Sequence, residues 1–144
     1  MENFDNSLKQ LIPKVFDYFS DKEIYLAGSA ALYIQGISIE NRPHDIDFII
    51  VSKEDDTRKY KRFFSLFFKE TRLFLDIIVN KDDNIKEKCI EITWNGIKVK
   101  LMKPEFVLKY KEAYSNTCKS EENKEKHKRQ LEYILEHNNM LNIR

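Results

Sequence analysis

The chain has 144 residues, of which 42% are hydrophobic and 34% charged, with a formal net charge of +1. That length supports one domain with its own core. The near-neutral charge supplies no overall field toward nucleic acid or an anionic membrane surface, and no apolar run approaches the ~18 residues of a membrane-spanning helix.

The N-terminal Met-Glu-Asn-Phe-Asp lacks the basic and apolar regions of a signal peptide. Residues 4–19 place Leu8, Leu11, Ile12, Val15, Phe16 and Phe19 at helical spacing. Pro13 predicts a kink there or a helix that begins near it. After a turn at Asp21-Lys22, the apolar run Glu23–Ala27 is long enough for a buried strand and stops at Gly28-Ser29. Residues 30–35 then read as a short helix ending at Gly36. The Gly-Ser pair therefore sits at a strand-to-helix turn. Glycine admits a ligand close to the backbone, Ser29 is expected to cap the helix, and free N–H groups at the helix start favour an anion.

Residues 36–44 form a loop in which Pro43 restricts Arg42 to extended geometry. It delivers the chain to Asp45 and puts Arg42 and His44 near any bound phosphate or metal, unless both are loop residues facing solvent. Asp45 and Asp47 head the strand that continues to Val51. Alternation along a strand points both carboxylates the same way, roughly 6.5–7 Å apart along the backbone. They repel, and one would take up a proton without a counter-charge. Mg²⁺ is the simplest counter-charge, since it combines one or two carboxylates with phosphate oxygens. A phosphate cradle facing an acid pair points to metal-assisted chemistry on a nucleoside triphosphate.

Asp55-Asp56 suits a helix start, and Tyr60, Phe63, Phe64 and Phe67 follow as a one-sided stripe. At that spacing the aromatics read as core rather than as a base-stacking surface. The helix would be a crossover to the next strand, residues 72–79, which is apolar except for Asp76. A buried bare carboxylate costs several kcal/mol, so Asp76 needs a purpose or a partner such as Arg72 or a lysine. Between Cys89 and Leu101 lies a hairpin whose Asn95-Gly96 suits a type I′ turn. It pairs Trp94 with Ile97, Ile92 with Val99 and Ile90 with Leu101 on an apolar face, and Glu91 with Lys100 and Thr93 with Lys98 on the other. Pro104 and Glu105 open a helix whose expected buried side is Phe106, Val107, Tyr110, Ala113 and Tyr114. A polar loop follows over 115–123, and a last helix over about 121–137 buries Leu131, Ile134 and Leu135. Its basic first half, Lys124–Arg129, reads as a solvated face, and residues 138–144 are expected to fray. Cys89 and Cys118 lack zinc-site spacing and fit reduced thiols in a cytoplasmic protein. No repeat, low-complexity tract or linker interrupts the chain. The elements make an α/β (α+β) domain over 1–144: a mixed sheet of about five strands with a C-terminal hairpin, flanked by helices. Its core spans about 23–101 and its C-terminal helices about 104–137.

Gly28-Ser29, a spacer, Asp45-x-Asp47 inside an apolar strand and one more acid on a later strand resemble the nucleotidyltransferase superfamily that includes DNA polymerase beta. The resemblance covers about residues 23–79. It is nearest to small bacterial members such as the lincosamide and aminoglycoside nucleotidyltransferases and those of toxin–antitoxin and phage-defence systems. Several of these place an Arg-Pro-His-like segment before the acids, as Arg42-Pro43-His44 does here. It implies a metal and catalytic triad of Asp45, Asp47 and Asp76, with Asp76 as general base or orienting group. Two Mg²⁺ ions, ~3.5–4 Å apart, would serve in-line attack on the α-phosphorus. It implies nucleotide binding by Gly28, Ser29 and Arg42, and more loosely by Lys111 and one of Lys126 or Lys128. Arg129-Gln130 stands where a last-helix acid is often found.

The implied activity is Mg²⁺-dependent transfer of a nucleoside monophosphate, AMP most simply, from ATP or another triphosphate to a hydroxyl. The acceptor is open between a small molecule, a protein and an RNA end, with no membrane involved. A homodimer or a partner protein could complete the acceptor site. Two further readings stay open: a non-catalytic nucleotide- or partner-binding module of a toxin–antitoxin type system, and an interaction domain in which the motif residues are accidental.

Overall fold

The computed structural model describes residues 2–43, 45–53, 73–81 and 83–138. The helix expected from Asp55 with its aromatic stripe, His44, Arg72 and residues 139–144 lie outside the described residues. In order, the elements are helix α1 (Glu2–Tyr18), strand β1 (Glu23–Ala27), helix α2 (Gly28–Ile34), β2 (Asp45–Val51), β3 (Phe74–Asn80), a 3₁₀ turn (Asp83–Lys88), β4 (Cys89–Trp94), β5 (Ile97–Met102), α3 (Pro104–Thr117) and α4 (Glu121–His137).

The five strands form one mixed sheet in the order β3-β2-β1-β5-β4. β1 lies at its centre, antiparallel to β2 and parallel to β5; β2 and β3 run parallel, and β4 and β5 form the antiparallel hairpin. Central position explains why Ile24–Ala27 is apolar without alternation: a strand covered on both faces has no polar side. The hairpin register is the expected one, pairing Trp94 with Ile97, Ile92 with Val99 and Ile90 with Leu101. Asn95 and Gly96 both take positive φ, 50° and 79°, as the I′ turn requires.

On β2, Ile46, Phe48 and Ile50 are fully buried toward α1, where the Phe16 ring meets Phe48 edge-on with centroids 6.0 Å apart. Leu8, Leu11, Ile12 and Val15 complete the buried stripe of α1, each removing apolar surface worth about 1.5–3 kcal/mol. The helix runs through Pro13, which sits on its exposed side. The opposite residues of β2, Asp45, Asp47 and Ile49, face a cavity whose far wall is α3.

Four expectations change. Asp76 is exposed on β3 rather than buried, so no burial cost calls for a partner there. Ser29 does not cap α2: Ala27 is the N-cap, and Ser29 lies inside the helix with its hydroxyl turned to another partner. α3 buries Val107, Leu108 and Ser115, whereas Tyr110 and Tyr114 remain 47% and 55% exposed. The tyrosines can stay at the edge because their hydroxyls are content in water. Finally, Asn138 does not fray; its amide closes α4 by donating to Ile134 O at 2.8 Å. Leu131, Ile134 and Leu135 are the buried seam of α4, as its spacing predicts. Its start is capped by Ser120, which accepts from Asn123 N–H. Cys89 and Cys118 are free thiols. Among the described residues no helix is long and apolar enough to cross a membrane.

Candidate active site

The site forms where β1 ends and β2 and β3 begin their paired run. Strand register aligns Ala27 with Asp47 and Asp47 with Asp76 in one row across three strands. Asp45, two residues earlier on the same face, pairs with Phe74. Three carboxylates from two strands thus stand over one patch of sheet. Gly28 follows Ala27 directly, at φ 62°, and a Cβ there would overlap Asp47 Oδ2. The glycine is required first by the neighbouring carboxylate.

Lys111 approaches from α3. Its Nζ donates to Ser29 Oγ at 2.7 Å, tying together residues 82 positions apart. Burial holds the Lys111 ammonium below its ordinary value, and the Asp47 charge acts the other way. Asp47 shows the reciprocal effect. Burial, then the charges of Asp76 and Asp45, push its carboxyl up to about 7, opposed by Lys111. An acid buried beside two like charges is held at a cost that a cation would relieve.

Two cavities meet at this point and share Asp45, Asp47, Lys111 and His127. The smaller, about 290 Å³, adds Ser29, the Glu40–Pro43 loop and, from α4, Lys126 and Gln130. It gathers three cationic side chains, Arg42, Lys111 and Lys126, against three acids, Glu40, Asp45 and Asp47. The Arg42 guanidinium lies 5.5 Å from the Phe4 ring centroid, which steadies it. The larger cavity, about 610 Å³, adds Gly28 and Asp76 and is walled by Ile49, Ile78, Val107, Tyr110 and Tyr114. All seven residues expected at the site, Gly28, Ser29, Arg42, Asp45, Asp47, Asp76 and Lys111, therefore line one or both of two joined cavities. Of the two later lysines, Lys126 lines the smaller cavity.

The carboxylate oxygens suit a hard divalent cation in charge and in donor type. Among the described residues, however, no group of three His, Cys, Asp or Glu side chains is already arranged to hold a metal ion. The acids share a cavity without closing on one point.

His127 was hidden in the basic run of the last helix. Its ring meets Tyr114 edge-on at 4.7 Å and lies at the junction of both cavities. Burial, then the charges of Lys111 and Lys126, hold its imidazole below the ordinary value and so keep it neutral near pH 7. One signal was available: His127 precedes Leu131 by four and Ile134 by seven, which puts it on the buried face of α4. Tyr110 and Tyr114, whose helical spacing predicts core, instead wall the larger cavity.

No family model matches the sequence, and no curated protein matches it. Among solved structures, a nucleotidyltransferase-like antigenic protein from Paracoccidioides brasiliensis is similar, at 16% identity and a TM-score of 0.61. The likeness covers 95% of this chain and 77% of that one. At such identity it is a likeness of architecture: this chain has a nucleotidyltransferase-like fold, α+β, with a mixed five-stranded sheet flanked by helices.

Proposed function

We propose that the chain is a nucleotidyltransferase. It would move a nucleoside monophosphate, AMP in the simplest case, from a nucleoside triphosphate to an acceptor hydroxyl, releasing pyrophosphate. One observation carries the reading: the row of acids lies where a pocket that brings Arg42, Lys111 and Lys126 together meets a larger cavity with mostly uncharged walls. A polyanion and a neutral acceptor could thus approach the same carboxylates through different cavities.

Arg42, Lys111 and Lys126 bind the phosphate oxygens, and the arginine fork can take two at once. Lys111 also holds the hydroxyl of Ser29, which lines the pocket. Asp76, which lines only the larger cavity, orients the acceptor hydroxyl and takes its proton. The hydroxyl oxygen bonds to the α-phosphorus as the bond to the β-phosphate bridge breaks, and the electron pair leaves with pyrophosphate. Mg²⁺ held by Asp45, Asp47 and Asp76, in two ions by the resemblance, would neutralise the triphosphate charge. Most of the catalysis is position and charge rather than covalent chemistry. The free thiols fit a cytoplasmic setting.

Thermal melts with Mg²⁺ and each of ATP, GTP, CTP and UTP test the reading, beside Asp45→Asn. A triphosphate at 100 times its Kd adds about 2.7 kcal/mol, a shift of several degrees. The expected result is a Mg²⁺-dependent shift that Asp45→Asn loses, followed by transfer of a labelled α-phosphate to an acceptor. Binding without transfer would make the chain a nucleotide-binding module. No shift with any nucleotide would sink both.

A further inference from the structure

Residues 37–43 carry Glu40, Asn41 and Arg42 to one wall of the smaller cavity, facing Lys126 and Gln130 of α4. The loop contains no regular structure. At its start Ile37 N–H donates to Leu32 O at 3.0 Å, and at its end Pro43 is buried. Between these anchors it is held from the far end of the chain. Ser38 N–H donates to Asn138 Oδ1 at 2.8 Å, and Asn138 Nδ2 donates back to Ser38 O at 2.9 Å. The same Nδ2 donates to Ile134 O. One primary amide thus serves a loop backbone on both its donor and acceptor sides while closing the last turn of α4. Capping the helix needs only the bond to Ile134. The paired bonds to Ser38 serve the loop.

We propose that Asn138 is a positioning residue that clasps the Arg42 loop to the end of α4 and so sets Arg42 opposite Lys126 for a triphosphate. The assignment rests on the reading of the smaller cavity as the phosphate site. Without the clasp, the core contacts of Ile37 and Ile39, Pro43 and the Arg42–Phe4 contact remain, but the Ser38 backbone is no longer tied to α4, and among the described residues Arg42 rests on Phe4 alone. Arg42 must then be brought back into place at the expense of binding energy.

Asn138→Gly removes the side chain at a position whose φ of −121° glycine adopts without strain. Asn138→Asp keeps the acceptor for Ser38 N–H and loses both donated bonds. The probes are Mg·ATP and inorganic tripolyphosphate, read by calorimetric titration, with amide exchange at Ser38 and a thermal melt as controls. For Asn138→Gly the expected result is faster exchange at Ser38, a melt within a few degrees of wild type and a Kd raised about tenfold for both probes, the loss of two net hydrogen bonds. Asn138→Asp, whose carboxylate would face the carbonyl oxygens of Ser38 and Ile134 at a helix C-terminus, should lose at least as much. Adding Arg42→Ala to Asn138→Gly should cost less than Arg42→Ala does alone, because the clasp acts through that arginine. If transfer is measurable, KM rises while kcat holds. Faster exchange at Ser38 with an unchanged Kd overturns the assignment, and so does unchanged exchange. A wild type that binds neither probe overturns the function itself, and this inference with it, before any variant is made.

Discussion

At the scale of single residues, Gly28 is the position with least freedom. Its φ of 62° is costly for any side chain, and a Cβ would overlap the Asp47 carboxylate. Gly28→Ala should therefore destabilise by about 2 kcal/mol or more, from backbone strain plus the clash, and lower the melting temperature by several degrees. Asp47→Ala removes the oxygen that the new methyl would meet. In that background Gly28→Ala should cost the strain and only a milder contact with the retained Cβ at 3.3 Å, so the double variant should be more stable than the sum of the two single effects. Strict additivity would show that the carboxylate is not the reason for the glycine. The residue types of the site were legible in the sequence, but their partners were not. Gly28 could be read as a cradle for phosphate because its spacing from Ser29 is local. Its real neighbour depends on the pairing of Ala27 with Asp47 across two strands. Likewise, nothing local links Ser29 to Lys111; the helix that brings them together is placed by its packing on the rest of the fold.

Among the elements, legibility followed local regularity. The β4–β5 hairpin was readable in full because turn chemistry and both faces of side-chain pairs point to one register. Gly96 then makes a clean contrast with Gly28. It has φ 79° but open space where a Cβ would go. Gly96→Ala should cost only about 1 kcal/mol of strain and leave the Kd for Mg·ATP unchanged, because the turn lies at the far end of a hairpin that contributes only Met102 to the cavities. Equal losses at Gly96 and Gly28 would mean that backbone strain alone decides both. The faces of α3 were less readable. Aromatic residues at helical spacing predict a core, yet Tyr110 is an edge residue whose hydroxyl accepts from Lys88 Nζ at 3.3 Å. An amphipathic ring satisfies a buried stripe and a cavity wall equally well. The 3₁₀ turn over Asp83–Lys88 left no periodic signal, since Ile85 is its single buried side chain among the described residues.

For the molecule as a whole, the acid row makes stability a function of pH and of metal together. In the unfolded chain Asp47 titrates at its ordinary 3.8, and in the folded chain at about 7, raised by burial and by Asp76 and Asp45. Between those values the folded state holds a proton that the unfolded state has lost. Stability must then fall as pH rises from about 4 to about 7, and this group adds no further change outside that window. The span is worth on the order of a few kcal/mol at about 1.4 kcal/mol per unit. Denaturation at pH 5 and pH 8 measures it, and Asp47→Asn isolates it: the variant should gain most over wild type at pH 8 and least at pH 5. A bound divalent cation does the proton's work without competing protonation at high pH. Added Mg²⁺ should therefore stabilise the wild type more at pH 8 than at pH 5, where it must displace a proton, and should do little for Asp47→Asn at either. If Mg²⁺ stabilised both chains equally at both pH values, the acids would not be its site. The energy that this row costs the free protein would then need another ligand to offset it.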